Sequence, residues 1–73
     1  MESNERLPEL ERQAEAYYAA MYETRSPAGD YANAKDAFCE AIALARRLGD
    51  DRMANRLEAR LEHVKAVFRS QFT

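Results

Sequence analysis

Gly29-Asp30-Tyr31-Ala32-Asn33-Ala34-Lys35-Asp36-Ala37-Phe38-Cys39-Glu40-Ala41-Ile42-Ala43-Leu44-Ala45-Arg46-Arg47-Leu48-Gly49-Asp50 is the stretch whose periodicity decides the fold. Within it Tyr31, Ala34, Phe38, Ala41, Ala45 and Leu48 recur at steps of three and four, which lays them along one face of an α-helix. Ala37, Ile42 and Leu44 widen that face on both flanks. An apolar arc approaching half the circumference is more than one neighbour can cover, so the segment reads as the middle helix of three. Asp30, after Gly29, reads as its N-cap, because a carboxylate there accepts from the free N–H groups of the first turn. Arg46 and Arg47 fall in the last turn, where cations suit the helix dipole, and Gly49 suits the left-handed position just past the end. The helix so bounded spans about 18 residues, or roughly 27 Å.

Working outward, the preceding residues carry a second apolar stripe of Leu7, Leu10, Ala14, Tyr17 and Met21. This helix should begin between Ser3 and Pro8, with Pro in the first turn and Glu5, Glu9 and Glu11 near the positive end of the dipole. Beside the stripe run Glu11, Glu15, Tyr18 and Tyr22, an acidic and aromatic edge whose plainer reading is tyrosines at the core margin beside solvated carboxylates. Ser26-Pro27-Ala28-Gly29-Asp30 reads as the first connection and Leu48-Gly49-Asp50-Asp51 as the second. Short connections make sequential helices antiparallel neighbours.

The third helix, from about Asp51 to Arg69, places Met53, Leu57, Leu61, Val64 and Phe68 on one face. Arg52, Arg56 and Arg60 line its side, with His63 in the same column. Like charges four apart each cost a few tenths of a kcal/mol on an isolated helix, so something anionic should lie alongside. Glu11 and Glu15 are the internal candidates, with a ligand or partner as the external one.

The chain has 73 residues, 47% of them hydrophobic and 33% charged. That composition is globular rather than disordered, and the length bounds it to one domain near the lower limit of self-sufficient cores. Self-association or a partner is therefore expected. The apolar arcs of the outer helices add to that expectation of a homodimer, with Val67, Phe72, Tyr18 and Tyr22 as candidate contacts. Net charge is −2 but unevenly spread, with nine acids and four bases in residues 1–45 against four acids and seven bases in 46–73. The single cysteine, Cys39, excludes an internal disulfide and a cysteine cluster and suits a reducing, cytoplasmic setting. The polar N-terminus lacks the apolar core of a signal peptide, and no run approaches a membrane span.

Small Ala34, aromatic Phe38 and small Ala41 follow Gly29-Asp30-Tyr31 and precede Ile42 and Leu44. This pattern resembles the second helix of a tetratricopeptide repeat, and the Leu48-Gly49-Asp50 ending resembles the longer repeats of that family. The resemblance is best over residues 29–50. Tyr18, Ala19 and Tyr22 stand for the leucine, glycine and tyrosine of the family's first helix only if about three extra residues are allowed around Ser26-Pro27, so about one and a half repeats fit. Trp is absent, Arg46 stands where the family often has proline, and the third helix resembles a capping helix. The architecture is also similar to the three-helix microtubule-interacting and trafficking domain, although that family's Arg-Ala-Glu ending is missing. The tetratricopeptide resemblance implies protein or peptide binding along the first helix, which maps onto Gln13, Ala16, Ala20 and Glu23. The residues themselves point to a competing edge of Tyr18, Tyr22, Arg56 and Arg60, where aromatics give contact area and arginines give forked donors.

Catalytic chemistry finds little footing. Lone His63 would need Cys39 and carboxylates such as Glu58 or Glu62 to converge for a metal, yet both carboxylates face away from it on an ideal helix. A Cys39–His63 nucleophile pair lacks an orienting third group, and Cys39 reads as a small half-buried residue. The two glycines sit in separate turns and form no phosphate cradle. The sequence thus implies an all-α, antiparallel three-helix bundle over residues 1–73, with helices at about 5–25, 30–48 and 51–70. The expected core is Leu10, Ala14, Tyr17, Met21, Ala34, Phe38, Ala41, Ala45, Leu57, Leu61, Val64 and Phe68. The function it implies is a non-catalytic protein–protein interaction module with no cofactor or metal. Two alternatives stand beside it: a nucleic-acid-binding accessory protein using the basic third helix, disfavoured by the acidic pI of about 5.4, and a structural or regulatory homodimer.

Overall fold

Three helices, α1 (Glu2–Ala20), α2 (Pro27–Arg47) and α3 (Asp51–Gln71), form the computed structural model, which describes residues 2–72 and the side chains of 6–72. Among the described residues there is no strand. Glu5, expected to favour the start of α1, has its side chain outside that set. The all-α, three-helix class read from periodicity is the fold observed.

Helix α2 is the spine, packing α1 on one side and α3 on the other. Arg6 reaches Glu40 across α1/α2, and Tyr31 at the start of α2 stacks on Phe68 at the end of α3. Both pairs require antiparallel neighbours. Ala14, Ala34, Phe38, Ala41, Ala45, Ala54 and Val64 are fully buried. Alanines at helix contacts let the axes approach, and Phe38 fills the space between them; such a ring, if deleted, leaves a cavity worth about 3–5 kcal/mol. Leu7, Leu10, Met21, Leu57 and Leu61 close the core around it.

The first connection differs from its sequence reading. Helix α1 stops at Ala20, and the chain tightens through Tyr22 N–H to Ala19 C=O and Glu23 N–H to Ala20 C=O, the short-range bonding common at helix ends. Helix α2 then starts at Pro27 rather than at about residue 30, with Ser26 as N-cap. Pro27 fits because a first-turn N–H has no helical partner to lose. Asp30 is therefore not the cap; its carboxylate accepts the Thr24 hydroxyl at 2.8 Å and ties the connection to the first turn of α2. Helix α1 begins at Glu2, one residue before the expected range of Ser3 to Pro8, so Pro8 lies in its second turn rather than its first.

The second connection follows its residues closely. Gly49 has φ +76°, and paired bonds from Asp50 N–H to Ala45 C=O and from Gly49 N–H to Arg46 C=O close α2 in the double-bonded ending that a left-handed glycine allows. Asp50 then caps α3 by accepting from Met53 N–H at 3.1 Å.

Two expected core positions, Tyr17 and Phe68, need correction, and so does Leu48 at the end of the α2 apolar face. Tyr17 is 37% exposed, because α1 turns its Glu11 and Tyr18 side toward α3 and leaves Tyr17 on the far flank. Leu48 is 40% exposed as the residue that caps α2. Phe68 is only partly buried. Cys39, read as half-buried, is exposed.

Candidate functional site

Because α1 and α3 are each antiparallel to α2, they run parallel to one another. Their backbones hardly approach, and long side chains span the space between them. Glu11 meets Arg56 and Glu15 meets Arg60, each across 45 residues of sequence, and Tyr18 meets His63 at the same offset. A constant offset is what two parallel helices in register produce.

The rungs change character along this seam. At its first end both ion pairs are two-pronged. Arg56 Nη1 lies 2.9 Å from Glu11 Oε2 and its Nη2 lies 3.2 Å from Oε1. Arg60 donates from Nε to Glu15 Oε2 at 2.7 Å and from Nη2 to Oε1 at 2.9 Å. This is the parallel fork that a planar guanidinium offers a carboxylate. The bond to Glu15 raises the Arg60 pKa further above its ordinary value, so this cation is fixed at any working pH.

Arg60 also lies over the Tyr18 ring, with its central carbon 5.1 Å from the centroid, within reach of a cation–π attraction. From Tyr18 onward the rungs are rings. His63 meets Tyr18 edge-on at 6.2 Å, Tyr22 meets Tyr18 at 5.8 Å, and Phe72 meets Tyr22 at 5.3 Å. Phe68 continues the chain beside Phe72, and Tyr31 stacks flat on Phe68 at 3.9 Å. Lys35 sits 4.9 Å above Tyr31 at the end. Six rings thus run from the α1/α3 seam around the end of the bundle where α1 stops and α2 starts. Tyr22 is 53% exposed within this chain. The Tyr18 and Tyr22 hydroxyls are 3.5 Å apart, a long contact. That contact first, and partial burial second, raise the Tyr18 phenol above its usual value near 10.0.

Of the residues singled out from sequence, Tyr18, Tyr22, Arg56 and Arg60 come together on this seam. Gln13, Ala16 and Glu23 are exposed on other faces of α1 and its following turn, and Ala20 is half-buried. The anion expected beside the arginine column is internal, as Glu11 and Glu15. Val67 and Phe72, candidates for a contact between copies, are half-buried, and Phe72 spends its ring on Tyr22 and Phe68. Sequence reasoning left His63, Phe68, Tyr31 and Lys35 out of the site.

The Cys39–His63 pairing is not formed, since Cys39 opens onto the α2/α3 groove while His63 meets Tyr18 on the α1 flank of α3. Among the described residues no three His, Cys, Asp or Glu side chains converge to hold a metal, and no helix is long and apolar enough to cross a membrane. The basic column of α3 is largely neutralised: besides Arg56 and Arg60, Lys65 bonds Glu62 at 3.4 Å, and Arg46 of α2 pairs with Glu58. Comparison with protein families, characterised proteins and solved structures finds no match to this chain.

Proposed function

We propose that this chain is a non-catalytic interaction module that binds a protein or peptide along the α1/α3 seam. The observation that carries the reading is the ring chain from Tyr18 through Tyr22 to Phe72, half exposed and bordered by Arg60. Rigid aromatics with few rotamers lose little entropy on contact, and with arginine they are the residue types that dominate binding energy at protein interfaces. Because the seam's rungs are already held by partners in the chain, the surface is organised before a ligand arrives, which lowers the cost of binding.

The tetratricopeptide resemblance of residues 29–50 supports the same class of function, since that family presents its first helices to peptides. It favours the α1 face of Gln13, Ala16, Ala20 and Glu23, whereas the ring geometry favours Tyr18 and Tyr22; we take the seam as the binding surface. A reducing, cytoplasmic setting accords with the single exposed thiol of Cys39. The nucleic-acid alternative gains no support from a basic column drawn into ion pairs.

The test is affinity capture from the native organism with the wild-type chain, Tyr22→Ala and Gln13→Ala, each checked for unchanged helicity. A protein retained by wild type and Gln13→Ala but reduced at least tenfold by Tyr22→Ala supports the seam, as loss of an anchoring aromatic costs about 2 kcal/mol or more. Equal retention by all three, or no specific retention, would overturn it.

A further inference from the structure

Pairing neutralises Arg56 and Arg60 without using all their donors. A guanidinium carries five N–H groups. Arg60 spends Nε and one N–H of Nη2 on Glu15, so both N–H groups of Nη1 stay unspent among the described residues. Arg56 gives one N–H of Nη1 to Glu11 and shares Nη2 between Glu11 and the Met53 sulfur, which leaves its Nε and the second N–H of Nη1. The guanidinium also stands outermost in that pair, since the Arg56 side chain is 59% exposed and that of Glu11 only 24%. What meets the solvent at this end of the seam is an arginine edge.

Two further arginines border the same face. Arg52 lies one turn before Arg56 in the column of α3, and Arg12 shares the outer side of α1 with Glu15, three residues on. Both are exposed, and neither has an ion pair among the described residues. The described side chains of the face are therefore four bases, Arg12, Arg52, Arg56 and Arg60, against two acids, Glu11 and Glu15, a net of +2 with His63 neutral. Its margins leave that balance alone: Glu62 is bonded to Lys65, and Glu23 is matched by Arg25 in the stretch after α1. On a chain of net charge −2 the seam is a basic island.

We infer that the ligand of the seam is an acidic peptide segment, with a carboxylate side chain on the unspent edges of Arg56 and Arg60 and an apolar side chain on the rings of Tyr22 and Phe72. This names the partner of the surface proposed above and rests on that reading. Arg60 is level with Glu15, and Tyr22 follows seven residues later, about 10 Å along the helix direction. An extended chain covers that distance in about three residues, which sets the spacing between acid and apolar anchor. A face of this charge attracts one or two carboxylates. The continuous phosphate row of a nucleic acid needs more cations in line and meets Glu11 and Glu15 among them.

An array of capped random octapeptides probed with the full chain at low salt should enrich Asp or Glu about three positions from Phe, Tyr, Leu or Met. The strongest binder is then titrated by fluorescence anisotropy against wild type, Tyr22→Ala and the double reversal Arg12→Glu with Arg52→Glu. The double reversal touches neither fork, so helicity should be unchanged, yet it takes the face from +2 to −2 and should weaken that peptide about tenfold or more. Binders that carry no acid but are lost with Tyr22→Ala overturn the inference and leave the seam reading standing; binders indifferent to Tyr22→Ala overturn both. An array without a specific binder, or acidic binders indifferent to the double reversal, also overturns the inference. An oligothymidylate that binds more tightly than any array peptide, and is lost on the double reversal, overturns it in favour of nucleic acid.

Discussion

Helix α1 makes two contacts of opposite kinds. Against α2 it presents Leu7, Leu10 and Ala14, continued by Met21 in the turn that follows, and the result is dry and alanine-lined. Against α3 it presents Glu11, Glu15 and Tyr18, continued by Tyr22 in the same turn, and the result is a row of forked ion pairs followed by rings. The first contact removes apolar area from water, which stabilises at roughly 25 cal/mol per Å². The second leaves much of its area in water, where an exposed ion pair contributes about 0.2–1 kcal/mol. One side of α1 therefore supports the fold, while the other is free to be shaped for recognition.

The sharpest way to break this division is at Phe38, fully buried between the helices. Phe38→Ala should cost about 3–5 kcal/mol, enough to unfold most molecules of so small a domain. Urea denaturation followed by circular dichroism would register it, and a loss below about 1 kcal/mol would remove Phe38 from the centre of the core.

The two glycines sharpen the account in opposite directions. Gly49 at φ +76° closes α2, and Gly49→Ala should destabilise by about 1–2 kcal/mol, the cost of a left-handed conformation for an L-residue. Gly29 sits inside the first turn of α2 with open space around an added Cβ. Gly29→Ala should therefore stabilise by about 0.5–1 kcal/mol through the unfolded chain. Equal signs in thermal melts of the two variants would contradict the placement of α2's start at Pro27.

Much of this was legible in the sequence, for reasons that also explain the failures. Steps of three and four at Ala34, Phe38, Ala41 and Ala45 report a helix face whatever its neighbours, and all four are buried. The arginine column of Arg56 and Arg60 required an anion, and equal spacing in Glu11 and Glu15 supplied it. Tyr17 failed because a stripe tells which face is apolar, not how far the helix rotates toward one of two neighbours. Asp30 failed because Ser26-Pro27 offered an equally good start three residues earlier, and proline at the first helical position prevailed. The Tyr31–Phe68 stack was also within reach: Tyr31 lies 18 residues before Gly49 and Phe68 lies 18 after Asp50, so a tight turn there brings them level.

The smallest effect expected concerns the seam's ionisation. Tyr18 has its phenol raised mainly by the Tyr22 hydroxyl, so its proton is held more tightly folded than unfolded. Its contribution to stability is then complete below about pH 10 and fades as pH rises through the raised value. Tyr22→Phe removes the hydroxyl, and tyrosinate absorbance should place the Tyr18 titration closer to that of free tyrosine. A titration unmoved by Tyr22→Phe would assign the shift to burial instead.

The division between a structural contact and a spare one is tested most directly by removing every charge of the seam at once. Urea unfolding of the chain carrying Glu11→Gln, Glu15→Gln, Arg56→Gln and Arg60→Gln should show full helicity and a loss of no more than about 1–2 kcal/mol, the sum expected of two exposed pairs. A loss matching that of Phe38→Ala, about 3 kcal/mol or more, would mean that the α1/α3 seam holds the fold together and would contradict the account.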